Sequence, residues 1–379
     1  MIYLELNDWQ LSLWNDQGEC LIQQTAGASK ASGRLNFGQS ALEYSRSHPQ
    51  QFNNRYLYSL AADPVSGDLS PAKNHADLIY HHLTSLAIPD EPVAICVGGH
   101  VTNEQLGLLL GICKETGIPV AGFIDAALAQ SLLVPAAQDY HVLDIELHRL
   151  TLSHIQVNGT ERSCAQTSSL DGMGLANFIE GWMNVIADEF VQKTRFDPLH
   201  AGQTEQHLFD QVSQWVSDPE ITDRRITILN GETSRDIEVN QTLLTDKLRQ
   251  RLNRLDLNHV EQLVLSPRAA QIAGFAPLIA ECHNEIKYCD LKDLPHNTQN
   301  LAAGFTPNSV RRVMTAISPA SQAITSPQPA VTSTVTHLLC DHVAHPISDV
   351  RFAEQNLTLT SLGERIVIAG RTYTAIRLA

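Results

Sequence analysis

The chain has 379 residues, enough for two or three domains that each bury a core, and its 43% hydrophobic and 18% charged residues exclude wholesale disorder. A formal net charge of -15 without clustered Lys or Arg argues against a nucleic-acid surface, because displacing counterions from phosphates needs dense positive charge. Seven widely spaced cysteines give neither a disulfide framework nor a zinc ribbon, no apolar run is long enough to cross a membrane, and the first residues carry no basic-then-apolar leader. A cytoplasmic protein without membrane insertion is expected.

Ile2 to Trp14 alternates large apolar with polar side chains and runs into the turn Asn15-Asp16-Gln17-Gly18, with Glu19 to Gln24 returning as a second strand. Between Ser40 and Tyr58, the run Phe52-Asn53-Asn54-Arg55-Tyr56-Leu57 is rich in aromatic and amide side chains, and reads either as a partner surface or as a loop pinned to the core. His75 to Leu86 has helical spacing, and Val93 to Val97 reads as a buried strand ended by Gly98-Gly99. A helix over Thr102 to Thr116 is capped by Thr102 or Asn103 and stopped by Gly117; Ile118 to Ile124 is a strand, and Asp125 opens a further helix. Strand, helix, strand, helix is the grammar of an α/β domain.

Tyr140 to Ile145 begins again as a strand, and the alternation of Leu150, Leu152 and Ile155 leads to the hairpin signal Asn158-Gly159. Helices are expected over Leu175 to Gln192, Glu205 to Val216 and Val239 to Leu255, with the last carrying the basic stretch Lys247 to Arg254 on a solvated face. Ile226 to Leu229 and Leu263 to Leu265 read as strands. A hairpin followed by α/β units in both halves points to duplication. Residues 316–336, rich in Ser, Thr, Pro, Ala and Gln, read as a linker. In residues 337–379, Val350 to Phe352, Leu357 to Thr360, Arg365 to Ala369 and Tyr373 to Leu378 alternate like the strands of a small β-module.

The run Val97-Gly98-Gly99-His100-Val101-Thr102-Asn103-Glu104-Gln105, then Gly117-Ile118-Pro119-Val120, then Ile124-Asp125-Ala126-Ala127-Leu128-Ala129 resembles, in order and spacing, the actin-like ATPases, and among them the seventy-kilodalton heat-shock chaperones and their short bacterial relatives. The resemblance covers roughly residues 1 to 310 and implies a duplicated actin-like, ribonuclease H-like α/β fold, with lobe I in residues 1–139 and lobe II in residues 140–315. That family grips ATP with two hairpins of outline Asp-X-Gly-X-Thr, whose glycines let backbone N–H groups approach the phosphates while the Asp organises Mg²⁺. Here the first hairpin aligns as Leu4-Glu5-Leu6-Asn7-Asp8-Trp9, with Glu5 for Asp, Asn7 for Gly and a bulky Trp9. The second keeps Asp144 but has Glu146, Leu147 and His148 for glycines. The adenosine loop becomes Leu263-Val264-Leu265-Ser266-Pro267-Arg268, again without glycine, while Gly172-Met173-Gly174 resembles the glycine pair that opens a helix beside the nucleotide. Ala302-Ala303-Gly304 resembles the short helix that closes the fold's last strand.

The resemblance thus implies Asn7, Asp8, Asp144, Gly172, Gly174 and Ser266 as nucleotide-cleft residues, Asp144, Asp125 and Glu5 as candidate catalytic carboxylates, and ATP or ADP with Mg²⁺ as the ligand. Loss of the glycine contacts, and a Glu146 carboxylate facing a polyphosphate, weigh against hydrolysis. The expectation is a pseudo-ATPase with no required cofactor and no metal site, binding or scaffolding another protein. The alternative is a working chaperone-type ATP hydrolase, followed by a small-molecule kinase of the same superfold. Cys340-Asp341-His342-Val343-Ala344-His345 and Glu281-Cys282-His283 with Cys289 carry zinc-type ligands at no standard spacing, and read as a turn plus a buried thiol. Arg195 to His200 and Glu205 to Asp210 hold acid–base residue types, but no histidine is assigned a catalytic role.

Overall fold

The computed structural model describes residues 1–217, 224–283, 285–290, 293–305 and 309–318, and the backbone of four strands between residues 337 and 376. Contacts divide the chain into two units, Met1–Ala323 and Ile324–Ala379.

The first unit opens with β1 (Ile2–Leu6), β2 (Gln10–Trp14) and β3 (Cys20–Thr25), an antiparallel meander. The alternating run from Ile2 to Trp14 is therefore two strands: Asn7 breaks it, its Oδ1 accepting from the backbone N–H groups of Trp9 and Gln10 at 2.9 Å each. Next, β4 (Ala28–Ser29), β5 (Asn36–Phe37), α1 (Gln39–Leu42), β6 (Phe52–Asn53) and α2 (Tyr56–Ser59) build a small three-stranded outcrop. Tyr56 and Leu57 are buried, so those two side chains pin the segment to the core. α3 (His75–Ser85) starts where the Asn74 side chain accepts from Asp77 N at 2.8 Å. β7 (Val93–Val97) is followed by α4 (Asn103–Glu115), which begins on a reciprocal Thr102–Gln105 capping box and is stopped by Gly117 at φ 75°. β8 (Val120–Asp125) and α5 (Ala126–Ser131) complete this half.

The second half opens the same way, with the meander β9 (Tyr140–Ile145), β10 (Arg149–Asn158) and β11 (Glu161–Asp171). Then come α6 (Leu175–Thr194), α7 (Gly202–Ser217), the ribbon β12 (Arg225–Asn230) and β13 (Thr233–Glu238), α8 (Gln241–Leu252), β14 (Leu263–Leu265), α9 (Pro267–Gln271), α10 (Phe275–Cys282), β15 (Ile286–Tyr288), α11 (Asp293–Ala302), β16 (Arg312–Val313) and β17 (Thr315–Ile317). Ala302 is thus the last residue of α11 and not part of a separate short helix. α6 turns Leu175, Phe178, Ile179, Trp182, Met183, Ile186 and Phe190 into the largest apolar cluster, with α7, α8 and α10 supplying the facing side chains.

The first sheet runs β16-β8-β7-β1-β2-β3 and the second β15-β14-β9-β10-β11-β17. Both contain the same five-strand plan: an antiparallel meander whose first strand is joined on its other side by two parallel strands, β7 then β8 in one and β14 then β15 in the other. β1, β7 and β14 are buried along their whole length, as central strands covered on both faces must be. The molecule is a mixed α/β structure that repeats one sheet plan.

The chain end of this unit straps the halves together. β16 extends the first sheet beside β8, and two residues on β17 extends the second beside β11. α11, although it follows the second sheet, packs Leu294 and Leu301 against Ala126 and Leu128 of α5. The segment read as a linker therefore opens with two strand residues, Ala316 and Ile317, in a pairing too short for alternation to reveal; residues 319–336 lie outside the described ones.

In the second unit, β18 (His337–Cys340), β19 (Val343–Pro346), β20 (Arg365–Ile368) and β21 (Arg371–Ile376) form one antiparallel sheet, ordered β19-β18-β21-β20. The hairpin β18–β19 was not expected, and the expected strands at Val350 to Phe352 and Leu357 to Thr360 lie outside the described residues. Among the described residues, no helix is long and apolar enough to cross a membrane.

Candidate functional site

The turn between β1 and β2 meets the turn between β9 and β10 where the two sheets approach each other. Asp8, in the first turn and 2% exposed, sends its carboxylate across the junction. It accepts from Leu147 N at 2.6 Å, His148 N at 3.2 Å and His148 Nδ1 at 2.8 Å. Successive backbone N–H groups in a turn form an anion-binding concavity. Here the anion is Asp8.

Neither turn needs glycine. Among the described residues the only non-glycine positions with positive φ are Leu60, Ala87 and Arg195, so Asn7, Glu146, Leu147 and His148 all keep ordinary backbone conformations. The second turn is closed by Glu146 N donating to Arg149 O at 2.9 Å.

Behind the two turns lies a buried cation between two carboxylates. β14 is followed directly by Ser266, which caps α9 by accepting from Ala269 N at 3.1 Å, and the first turn of that helix aims Arg268 into the junction. The guanidinium, 6% exposed, pairs with Glu5 of β1 and with Asp144 of β9, its Nε reaching Asp144 Oδ1 at 3.3 Å. Gln130 Nε2 and the Ser266 hydroxyl also donate to Asp144. Burial pushes the Asp144 carboxyl up, but the Arg268 charge and these hydrogen bonds more than reverse it and hold it below the usual carboxylate value. For Arg268 burial likewise works against the charge, and Asp144 and Glu5 outweigh it.

Glu146, 4% exposed, sits 3.5 Å from Arg149 Nε and 3.6 Å from His100 Nδ1. Burial and then the Asp8 charge raise its pKa well above the usual value. His100 is pushed down to about 4 by burial and by Arg149. Arg149 lies over the Tyr58 ring at 4.1 Å and donates to Tyr58 O at 2.9 Å.

Asp125 forms a separate group. It is fully buried, caps α5 by accepting from Leu128 N at 3.2 Å, and pairs with Arg312 of β16 at 3.1 Å. The same guanidinium donates to Gly98 O at 3.0 Å and Val101 O at 2.7 Å, which ties the end of β7 to the strap. Burial raises the Asp125 pKa, and Arg312 offsets part of that rise.

The glycines before α6 serve packing. Leu175 N and Ala176 N, which a phosphate would need free, donate to Glu146 O at 3.0 Å and Leu147 O at 2.8 Å. Gly174, the N-cap, lies so close to the second turn that a Cβ there would collide with Leu147 O and Arg149 N. Gly172, at φ 73°, donates its N–H to His148 O at 2.9 Å.

What space remains between Glu5, Asn7, Asp144, Glu146 and Arg268 is a cavity of about 10 Å³. That is room for a single water molecule. The structure thus gathers Glu5, Asn7, Asp8, Asp144, Gly174 and Ser266 at one junction, with Asp125 in its own ion pair beside it. Sequence reasoning missed Arg268, His148, Gln130 and Arg312 as their partners. A buried Arg looks like any other Arg in a single sequence, although the Ser-Pro-Arg start of α9 lay inside the aligned adenosine loop.

Among the described residues, no three His, Cys, Asp or Glu side chains are grouped to hold a metal ion, and the Cys340 to His345 side chains lie outside those described. No protein-family model matches the chain, and no curated protein matches it either.

Proposed function

We propose that this chain is a duplicated actin-like protein related to the seventy-kilodalton heat-shock chaperones, that its own side chains fill the nucleotide cleft, and that it works as a protein-binding or scaffolding module. The repeated five-strand plan and the strap that returns α11 to the first sheet support the fold reading. The closed cleft rests on one observation: Arg268 occupies the ground between Glu5 and Asp144, the two carboxylates that would organise Mg²⁺ in such a fold. Asp8 fills the N–H concavity a phosphate would take, and about 10 Å³ of space admits no polyphosphate. A triphosphate would have to expel a buried ion pair and then face the charges of Asp8, Glu5 and Asp144. Recognition of another protein, without a chemical cycle, is the activity compatible with such a body. The free thiols Cys20, Cys96, Cys113, Cys164, Cys282 and Cys289 suit a reducing, cytoplasmic setting.

The test is a thermal-shift titration with Mg·ATP and Mg·ADP. No shift at millimolar nucleotide is expected. A ligand at a hundred times its dissociation constant adds about 2.7 kcal/mol, so a saturable shift would overturn the closed-cleft reading. Cross-linked capture with the full chain as bait, with and without nucleotide, should then return the same partner in both conditions.

A further inference from the structure

Beside the closed junction, residues of both halves enclose a pocket of about 320 Å³. Pockets that enclose small organic ligands begin at about this size. Trp9, Leu42 and Phe52 from the first half and Leu147 and Phe209 from the second supply flat, apolar walls. Two residues of the lining carry buried hydroxyls with no hydrogen-bond partner among the described residues: Ser45 Oγ, on a residue only 7% exposed, and Thr25 Oγ1. Buried hydroxyls are rarely left so, and both lie behind the pocket wall, shielded from its space.

The charges are asymmetric. Arg46 is committed, since it pairs with Glu180 and with Glu205 at 3.4 Å and lies over the Phe209 ring at 4.7 Å. Glu180, the one carboxylate among the lining residues described, shares that guanidinium with Glu205. Arg55 is exposed at the pocket, lies over the Tyr58 ring at 5.5 Å, and has no carboxylate partner among the described residues. In a chain of net charge -15, Arg55 is thus a cation at the pocket that no described carboxylate pairs.

We propose that this pocket binds a small planar molecule carrying one anionic group, with the ring system between Trp9, Phe52 and Phe209 and the anion on Arg55. Aromatic walls favour a flat apolar body, and a guanidinium favours a carboxylate or comparable oxyanion. The site lies outside the Arg268 cavity and does not depend on that cavity being closed.

Naphthalene-2-carboxylate, titrated into the full chain by calorimetry, is the probe. Saturable one-site binding is expected, weakened about tenfold in Arg55→Gln, where a charge-assisted contact worth about 1.4 kcal/mol is lost. Neutral naphthalene-2-methanol should bind the native chain about as weakly as the carboxylate binds that variant. Ala176→Phe, which fills the pocket from α6, should abolish binding while the thermal midpoint holds. Absence of saturable binding at millimolar probe, retention of binding in a folded Ala176→Phe, or indifference to Arg55→Gln each overturns the proposal; should Ala176→Phe fail to fold, Arg55→Gln decides. A Mg·ATP thermal shift that persists in Ala176→Phe would overturn the closed cleft and leave this site standing.

Discussion

Replacing Arg268 by Met removes the cation between Glu5 and Asp144 and keeps much of its volume. The two carboxylates, 4% and 6% exposed, then face each other, with Gln130, Ser266 and the Ile145 N–H at 2.8 Å left to hold Asp144. Stripping one partner from a buried charge cluster costs about 3–5 kcal/mol, which for a body the size of Met1–Ala323 lowers the thermal midpoint by about 4–7 °C. The loss carries a pH signature. In the native chain Asp144 titrates below its unfolded value of 3.8, so its stabilisation is present above that value and is lost as pH falls through the folded pKa. Without the guanidinium, burial dominates and the folded pKa rises above the unfolded one, so the variant regains stability as the carboxyl protonates. The deficit against the native chain should therefore be largest near neutral pH and shrink toward about pH 5. Thermal midpoints of both proteins across that range decide it. A deficit under about 1 kcal/mol at neutral pH, or one that does not shrink in acid, would refute the account of the junction as a charge-compensated core.

Two further outcomes follow from other buried groups. Asp8→Ala leaves Leu147 N, His148 N and the His148 ring without their acceptor and should cost roughly 2–4 kcal/mol, while Asp8→Asn, which keeps one oxygen, recovers part of it; urea titrations of the pair measure this. His82, 1% exposed between Phe37, the Tyr56 hydroxyl at 2.8 Å and Gln24, is pushed by burial from 6.5 down to about 3. Its folded pKa lies below its unfolded one, so stability is lost as pH falls from about 6.5 toward 3. By about pH 4.5 the native chain should have lost roughly 2–3 kcal/mol more than His82→Gln, and equal acid sensitivity would show that His82 is not buried neutral.

The sequence revealed elements wherever a long apolar period met a clear stop. β7, α4 with its Thr102 cap, β9, α6 and β14 all fall within a few residues of their expected bounds. It hid the break at Asn7, because a tight turn that an Asn side chain closes keeps the alternation of the strands on either side. It also hid β16 and β17, whose two or three residues carry no measurable period. At the junction, Glu5, Asp8 and Asp144 were visible as carboxylates, but what they hold was not. Arg268 reaches Glu5 across 263 positions of chain and Asp8 reaches His148 across 140. Spacing along a chain carries no information about pairs of that kind; only the meeting of two sheets does.

The charges at the junction also explain why glycine is dispensable there. Glycine serves a phosphate site by letting backbone approach an external anion, often through positive φ. Here the anion is a side chain of the opposite turn, tethered by its own backbone, and the cation is a side chain of α9. Asp8 reaches Leu147 N at 2.6 Å over a turn in which no residue adopts positive φ. Buried ion pairs contribute little net stability against apolar residues of the same size, since desolvation offsets most of the attraction. What Arg268 and Asp8 contribute is geometry: opening the halves would separate Asp8 from the Leu147 and His148 N–H groups and the His148 ring, and Arg268 from Glu5. Two sheets joined in this way, and strapped again by β16 and β17, favour a fixed junction over a closing cleft, as the proposed scaffolding role requires.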